Sequence, residues 1–91
     1  MIMNYALTCN GKDITGMQKI ETLLDMIKAI GVVLGQNWEL ISLSTGEILV
    51  EYGISEKTGE LDVRILSDDI HYDKAKNTIT DARPLNEVLV W

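Results

Sequence analysis

The chain has 91 residues, of which 46 % are hydrophobic and 24 % charged, a composition typical of one small globular domain spanning residues 1–91. Its formal charge of −6, from 14 acids and 8 bases, argues against direct binding to nucleic acid or to an anionic membrane, because both need clustered Lys and Arg. No apolar run approaches the roughly 20 residues that span a bilayer, and the first residues lack the basic region of a secretory signal, so we expect a cytoplasmic protein.

The first third of the chain predicts a strand and then a helix. Residues 3–9 alternate in polarity and indicate a half-buried strand, after which Asn10-Gly11 favours a turn. Thr15, three residues before Gln18, fits a capping box at a helix start. We expect the helix to end between residues 31 and 35, with either Gly31 or Gly35 as its cap. Its apolar stripe comprises Met17, Ile20, Leu23, Leu24, Ile27 and Ile30.

From Trp38 the hydrophobic period changes to two, which is typical of strands. A hairpin with Thr45-Gly46 as its central pair places Ile41 opposite Val50 and Glu39 opposite Tyr52. The predicted core face then carries Ile41, Leu43, Ile48, Val50 and Tyr52. The predicted second face carries Trp38, Leu40, Ser42, Leu49 and Glu51, and it is either partly covered or a contact surface.

The remainder of the chain predicts further antiparallel strands. The segment 45–50 is echoed by 58–63, which indicates two successive turn-plus-strand units, and the half-buried pattern continues through residues 61–65. Residues 70–72 and 78–80 flank a polar stretch that favours another hairpin. Residues 81–84 read as a loop, and 85–91 as a strand, with a short helix as the competing interpretation.

Taken in order, these elements predict an α+β fold of the order β-α-β-β-β-β-β. One amphipathic helix would pack its apolar stripe on an antiparallel meander sheet, in two layers.

Charge is concentrated in one part of the sequence. Residues 36–73 hold nine acids and two bases, whereas residues 1–35 are neutral and residues 74–91 carry one net positive charge. Such a block is either a solvated surface or a surface that docks on a basic partner.

The leading functional hypothesis is a non-catalytic protein-binding module without a cofactor, because no catalytic or nucleotide-binding motif is present. It would dock on a basic surface of another protein, for instance as an inhibitor of a nucleic-acid-handling protein. Trp38 is the predicted anchor, since tryptophan is enriched among binding hot spots. The acids predicted to steer binding are Glu47, Glu51, Glu56, Glu60, Asp62, Asp68 and Asp69.

The alternative hypothesis is a structural homo-oligomer that pairs sheet faces or edges. Trp38, Leu40 and Leu49 on the predicted second face would form the contact between copies.

A third hypothesis is a metal or catalytic site at Asp69, His71 and Asp73, which share one face if this segment is a strand. The opposing interpretation is an acidic turn beside an exposed histidine. Cys9 is the only cysteine, which excludes an intrachain disulfide and a cluster of thiolate metal ligands. We expect it to be a small buried hydrophobic residue.

Overall fold

A computed structural model describes residues 3–82 of the chain. This part contains seven strands, a 3₁₀ turn at Ile20–Thr22 and the helix α1 at Leu23–Ile30. The strands are β1 Tyr5–Cys9, β2 Lys12–Met17, β3 Trp38–Ser42, β4 Ile48–Ile54, β5 Leu61–Ile65, β6 Ile70–Asp73 and β7 Thr78–Asp81. Every strand pair is antiparallel, which confirms the predicted α+β class. The predicted strand at 85–91 lies outside the described residues.

The strands form two sheets. Five of them pair in the order β2-β1-β3-β4-β5, and β6 pairs only with β7 in a separate hairpin. The helix α1 connects β2 to β3, so the chain crosses from one side of β1 to the other. The predicted hairpin near residues 70–80 is confirmed, but the expectation that it continues one meander sheet is wrong.

The helix begins later than the sequence pattern predicts. Thr15 lies in β2 opposite Leu7, and its hydroxyl donates to the carbonyl oxygen of Gly16 instead of capping a helix. The predicted capping box is therefore wrong. The helix ends as the first of the two alternatives predicts, because Gly31 caps it with a φ of 79° and donates its N–H to the Ile27 carbonyl.

The β3–β4 hairpin differs from its predicted register. Its loop is Leu43–Gly46, closed by hydrogen bonds between Ser42 and both Gly46 and Glu47, so it is longer than a two-residue turn. Leu40 therefore lies opposite Val50 and Ile41 opposite Ile48, with a bulge at Leu49. A one-residue change of register exchanges the two faces of a strand. Trp38, Leu40 and Leu49 consequently belong to the core, contrary to the prediction.

One face of the five-stranded sheet packs into the core, and we call it the core face. Its side chains meet those of α1, the 3₁₀ turn and the β6–β7 hairpin in a single buried cluster. The fully buried hydrophobic residues of this cluster are Tyr5, Leu7, Ile20, Leu23, Leu40, Leu49, Val50, Tyr52 and Ile79. The buried side chains of α1 and the 3₁₀ turn confirm most of the predicted apolar stripe, although Ile30 is 42 % exposed.

No helix or second sheet from residues 3–82 covers the opposite face of the five-stranded sheet, which we call the open face. Strand alternation assigns to it Asn4, Ala6, Thr8, Asp13, Glu39, Ile41, Leu43, Ile48, Glu51, Gly53, Asp62, Arg64 and Leu66. Most of these side chains are half-buried or exposed.

Candidate functional site

A row of polar residues crosses the open face from one edge of the sheet to the other. Direct strand pairing places Asp13, Thr8, Glu39, Glu51 and Arg64 side by side, one from each strand in the order β2-β1-β3-β4-β5. Asp62 joins the row on β5, two residues before Arg64 and on the same face. These six residues, the polar row, carry four negative charges and one positive charge.

Arg64, the single cation of the polar row, forms ion pairs with two of the four acids in that row. The Arg64 guanidinium forms ion pairs with Asp62, at 2.8 Å between Nη1 and Oδ2, and with Glu51, at 3.5 Å between Nε and Oε1. Within the described residues no Lys or Arg forms an ion pair with Glu39. Glu39 is half-buried and lies directly opposite Glu51. Like charges in directly opposed positions destabilise a sheet, so this arrangement lowers the stability of the isolated protein.

Thr8, the neighbour of Glu39 in the polar row, has a buried side-chain hydroxyl that makes no hydrogen bond. Its side chain is 3 % exposed, and its Oγ1 has no hydrogen-bond partner. Within the described residues it is the only buried side-chain polar atom in that condition. An unsatisfied buried hydroxyl costs about 1–3 kcal/mol. Two unfavourable features therefore adjoin each other on the open face.

Next to the polar row, the open face becomes apolar toward the β3–β4 loop. Ile41 pairs with Ile48, and the Leu66 N–H extends β5 by donating to the Leu49 carbonyl at 2.9 Å. Three large apolar side chains at this end are exposed: Leu43 by 54 %, Leu66 by 49 % and Ile48 by 36 %. We call Ile41, Leu43, Ile48 and Leu66 the apolar end.

The structure separates the acids that the sequence placed in one block. Glu51 and Asp62 lie in the polar row, whereas Glu56 and Glu60 belong to the loop that joins β4 to β5. Glu47, Asp68 and Asp69 lie near the opposite end of β4, about 20 Å from that loop, which is the distance between the ends of a seven-residue strand. Of the predicted steering residues, Glu51 and Asp62 alone lie in the polar row.

Trp38 offers no surface to a partner, because it is only 3 % exposed. Its indole ring stacks on the Tyr52 ring, with centroids 5.8 Å apart and planes 8° from parallel, and its Nε1 donates to Gln36 Oε1 at 3.2 Å. Burial, with a smaller contribution from Cys9, raises the pKa of Tyr52 well above its usual value of 10.0. Trp38 is thus part of the core, and we do not retain it as an anchor.

The third hypothesis receives no geometric support from the described part of the chain. Asp69 precedes β6, and His71 and Asp73 are exposed within it. No three His, Cys, Asp or Glu side chains among residues 3–82 form a group that could hold a metal ion. Cys9 is a free, half-buried cysteine that packs against the core.

Several residues of the open face were missed by the sequence interpretation. Glu39 alternates with buried apolar neighbours in β3, and Arg64 alternates with half-buried ones in β5. This alternation is visible in the sequence, but the predicted register placed Glu39 on the core face, and Arg64 was given no role. Thr8 gave no signal, since its burial without a partner depends on packing across three strands.

Comparisons with known proteins give no information about the open face. The chain matches no family model, and neither the curated proteins nor the solved structures gave a significant match. In the described residues, no helix is long and apolar enough to cross a membrane.

Proposed function

We propose that this protein is a non-catalytic binding module, acting in the cytoplasm, whose open face docks on a basic surface of another protein. The nucleic-acid-binding surface of an enzyme is one such partner, and occupying it would inhibit that enzyme. The net negative charge of the polar row would accelerate encounter and select basic partners.

The observation that carries this proposal is the direct opposition of Glu39 and Glu51. In the isolated protein two half-buried carboxylates lie in directly opposed positions, while Arg64, the single cation of the polar row, pairs with Glu51 and Asp62. A Lys or Arg from a partner, placed beside Glu39, would remove this repulsion. Departures from favourable local interactions are expected at functional sites.

The test compares two variants that remove the same charge. Glu39→Gln removes one negative charge from the polar row, and Glu56→Gln removes one from an exposed loop. Both variants and the parent chain are used to capture proteins from cell extract at low and high salt, and the retained proteins are identified by mass spectrometry. Free energies of unfolding are measured in parallel.

We expect the parent chain to retain basic proteins at low salt and to release them at high salt. Glu39→Gln should weaken this retention about tenfold, which corresponds to about 1.4 kcal/mol, while raising the free energy of unfolding by several tenths of a kcal/mol. Glu56→Gln should change neither property. Equal losses for both variants, or retention that high salt does not affect, would contradict the proposal.

The homo-oligomer remains the second candidate, favoured by the exposed apolar end of the open face. Trp38, Leu40 and Leu49 cannot form its contact, because they are buried in the core. Light scattering over a range of protein concentrations tests this candidate, and a monomer at high concentration removes it.

A further inference from the structure

The open face is divided along its strands into two chemically different halves. On β3 and β4, the pair Ile41 and Ile48 marks the apolar end, and the pair Glu39 and Glu51 marks the polar row. On β5, Leu66 and Arg64 repeat the same order, with the apolar residue nearer the β3–β4 loop. A partner that lies along these strands therefore meets apolar side chains first and carboxylates next.

The spacing between the halves matches one turn of an α-helix. Two residues of an antiparallel strand, from Ile41 to Glu39, span about 6.8 Å. Four residues of a helix rise about 6 Å, and residues i and i+4 lie on one side of the helix. A helix aligned with β3 and β4 can thus place an apolar residue i over the apolar end and a Lys or Arg at i+4 over Glu39.

Charge complementarity decides between this occupant and a second copy of the chain. Two open faces packed together would oppose two polar rows, each with four acids and one base. Burying like charges against each other is strongly unfavourable. A helix with basic residues would place positive charge beside the carboxylates of the polar row and reduce their repulsion. A second copy would instead bring a second set of carboxylates against them.

We infer that the partner element bound by the open face is an amphipathic α-helix with an apolar residue followed, four positions later, by Lys or Arg. This inference rests on the proposed function and adds the partner's secondary structure and sequence spacing to it. The apolar residue contacts Ile48 and Leu66, and the cation reaches Glu39 beside the unpaired hydroxyl of Thr8.

The experiment uses two synthetic peptides of identical composition and charge. One is an Ala-rich helix carrying Leu at i and Lys at i+4 on one side, and the other has these residues rearranged so that they no longer share a side. Each is titrated into the full chain labelled with ¹⁵N, and amide shifts are followed by NMR at fixed ionic strength.

Two protein variants provide a matched control. Ile48 and Leu61 are exposed to similar extents, 36 % and 38 %, but Ile48 lies on the open face and Leu61 pairs with Ile54 on the core-face side. Ile48→Ser and Leu61→Ser therefore remove comparable apolar surface from opposite sides of the sheet.

We expect the ordered peptide to bind at least tenfold more tightly than the rearranged one and to shift amides of β3, β4 and β5. Ile48→Ser should weaken its binding at least fivefold, whereas Leu61→Ser should leave it within twofold. Equal binding of the two peptides, binding of neither, or equal effects of the two variants would overturn the inference.

Failure of this inference and failure of the proposed function give different results. If both peptides bind equally and Glu39→Gln still weakens capture of basic proteins, the open face binds basic surfaces without preference for this helix. If both peptides bind equally and Glu39→Gln also leaves the capture of basic proteins unchanged, the proposed function fails as well.

Discussion

At the scale of single residues, Gly53 shows how closely the chain approaches the sheet before β3. A Cβ built on Gly53 would lie 2.8 Å from the backbone carbonyl oxygen of Gln36, closer than real Cβ atoms come to other atoms. The same segment supplies Gln36 Oε1 to the Trp38 indole, so its position also supports the core. Glycine at position 53 is therefore required by space, since the nearby atom is backbone and cannot turn away.

Gly53→Ala should lower the free energy of unfolding by about 1–3 kcal/mol, because the added methyl group forces the backbone to shift. Gly16→Ala is the control. Its Cβ would meet the Met3 side chain at 3.1 Å, and a flexible methionine can move. Urea denaturation followed by circular dichroism measures both variants. A cost for Gly16→Ala equal to that for Gly53→Ala would contradict this explanation.

The register of single residues was the least predictable feature of the fold. Alternation in residues 38–42 correctly indicated a strand, but it did not decide whether Trp38 and Leu40 or Glu39 and Ile41 face the core. That choice depends on the loop length and on the bulge at Leu49, and both are set by backbone hydrogen bonds that the sequence does not display. The candidate site was missed for the same reason, because Glu39 was assigned to the core-facing pair.

At the scale of elements, three hairpin loops end in the same left-handed backbone conformation. The loops Leu43–Gly46, Glu56–Gly59 and Lys74–Asn77 each have a left-handed residue in the last position, with φ values of 76°, 72° and 55°. In the first two, a serine carbonyl accepts the glycine N–H at 2.8 Å, and a threonine hydroxyl accepts the N–H of the following glutamate at 3.2 Å. The predicted pair of turn-plus-strand units is therefore confirmed in atomic detail.

The shared left-handed position gives opposite expectations for two substitutions. Gly59→Ala should destabilise the protein by about 1–2 kcal/mol, because a Cβ disfavours positive φ. Asn77→Gly should be neutral or stabilise it by up to about 0.5 kcal/mol, since glycine adopts that conformation without strain. Thermal unfolding of both variants measures these effects. A large loss of stability in Asn77→Gly would show that the Asn77 side chain has a role beyond its backbone conformation.

The strand β2 is the element that the sequence did not reveal. Its burial is confined to Met17 at its end and Thr15 in part, so no alternating hydrophobic pattern marks it. A shift of register between Leu7 and Thr8 breaks the period further. The apolar stripe of the helix, in contrast, was predictable. Its members are spaced so that they lie on one side of a helix, and they pack into one core: Ile20, Leu23, Leu24 and Ile27.

At the scale of the whole molecule, a hydrogen bond joins the first strand to the last described one. The hydroxyl of Tyr5, the first residue of β1, donates to Asp81 Oδ2 in β7 at 2.8 Å. The β6–β7 hairpin also packs on the core through the apolar side chains of Ile70, Tyr72 and Ile79. This bond therefore fixes the position of the hairpin over the core face.

Tyr5→Phe should lower the free energy of unfolding by about 1.5–3 kcal/mol, as expected for a part-buried hydrogen bond to a charged group. Hydrogen exchange should accelerate more at the amides of β6 and β7 than at those of β3 and β4. Tyr72→Phe removes a hydroxyl from the half-buried tyrosine of β6 and keeps its ring in place; it is the control and should leave both unchanged. Uniform acceleration across all strands would show that the bond stabilises the fold without holding the hairpin specifically.

The path of α1 from β2 to β3 also affects how the chain reaches this structure. The pairs β1–β2, β3–β4, β4–β5 and β6–β7 each join neighbouring segments through a short loop. Only β1–β3 joins distant ones, matching Tyr5 with Ser42 and Cys9 with Trp38. Among the strand pairings of residues 3–82, forming β1–β3 has the largest entropic cost, because it closes the longest connection. It also completes the open face, because Thr8 and Glu39 become neighbours only when β1 and β3 have paired.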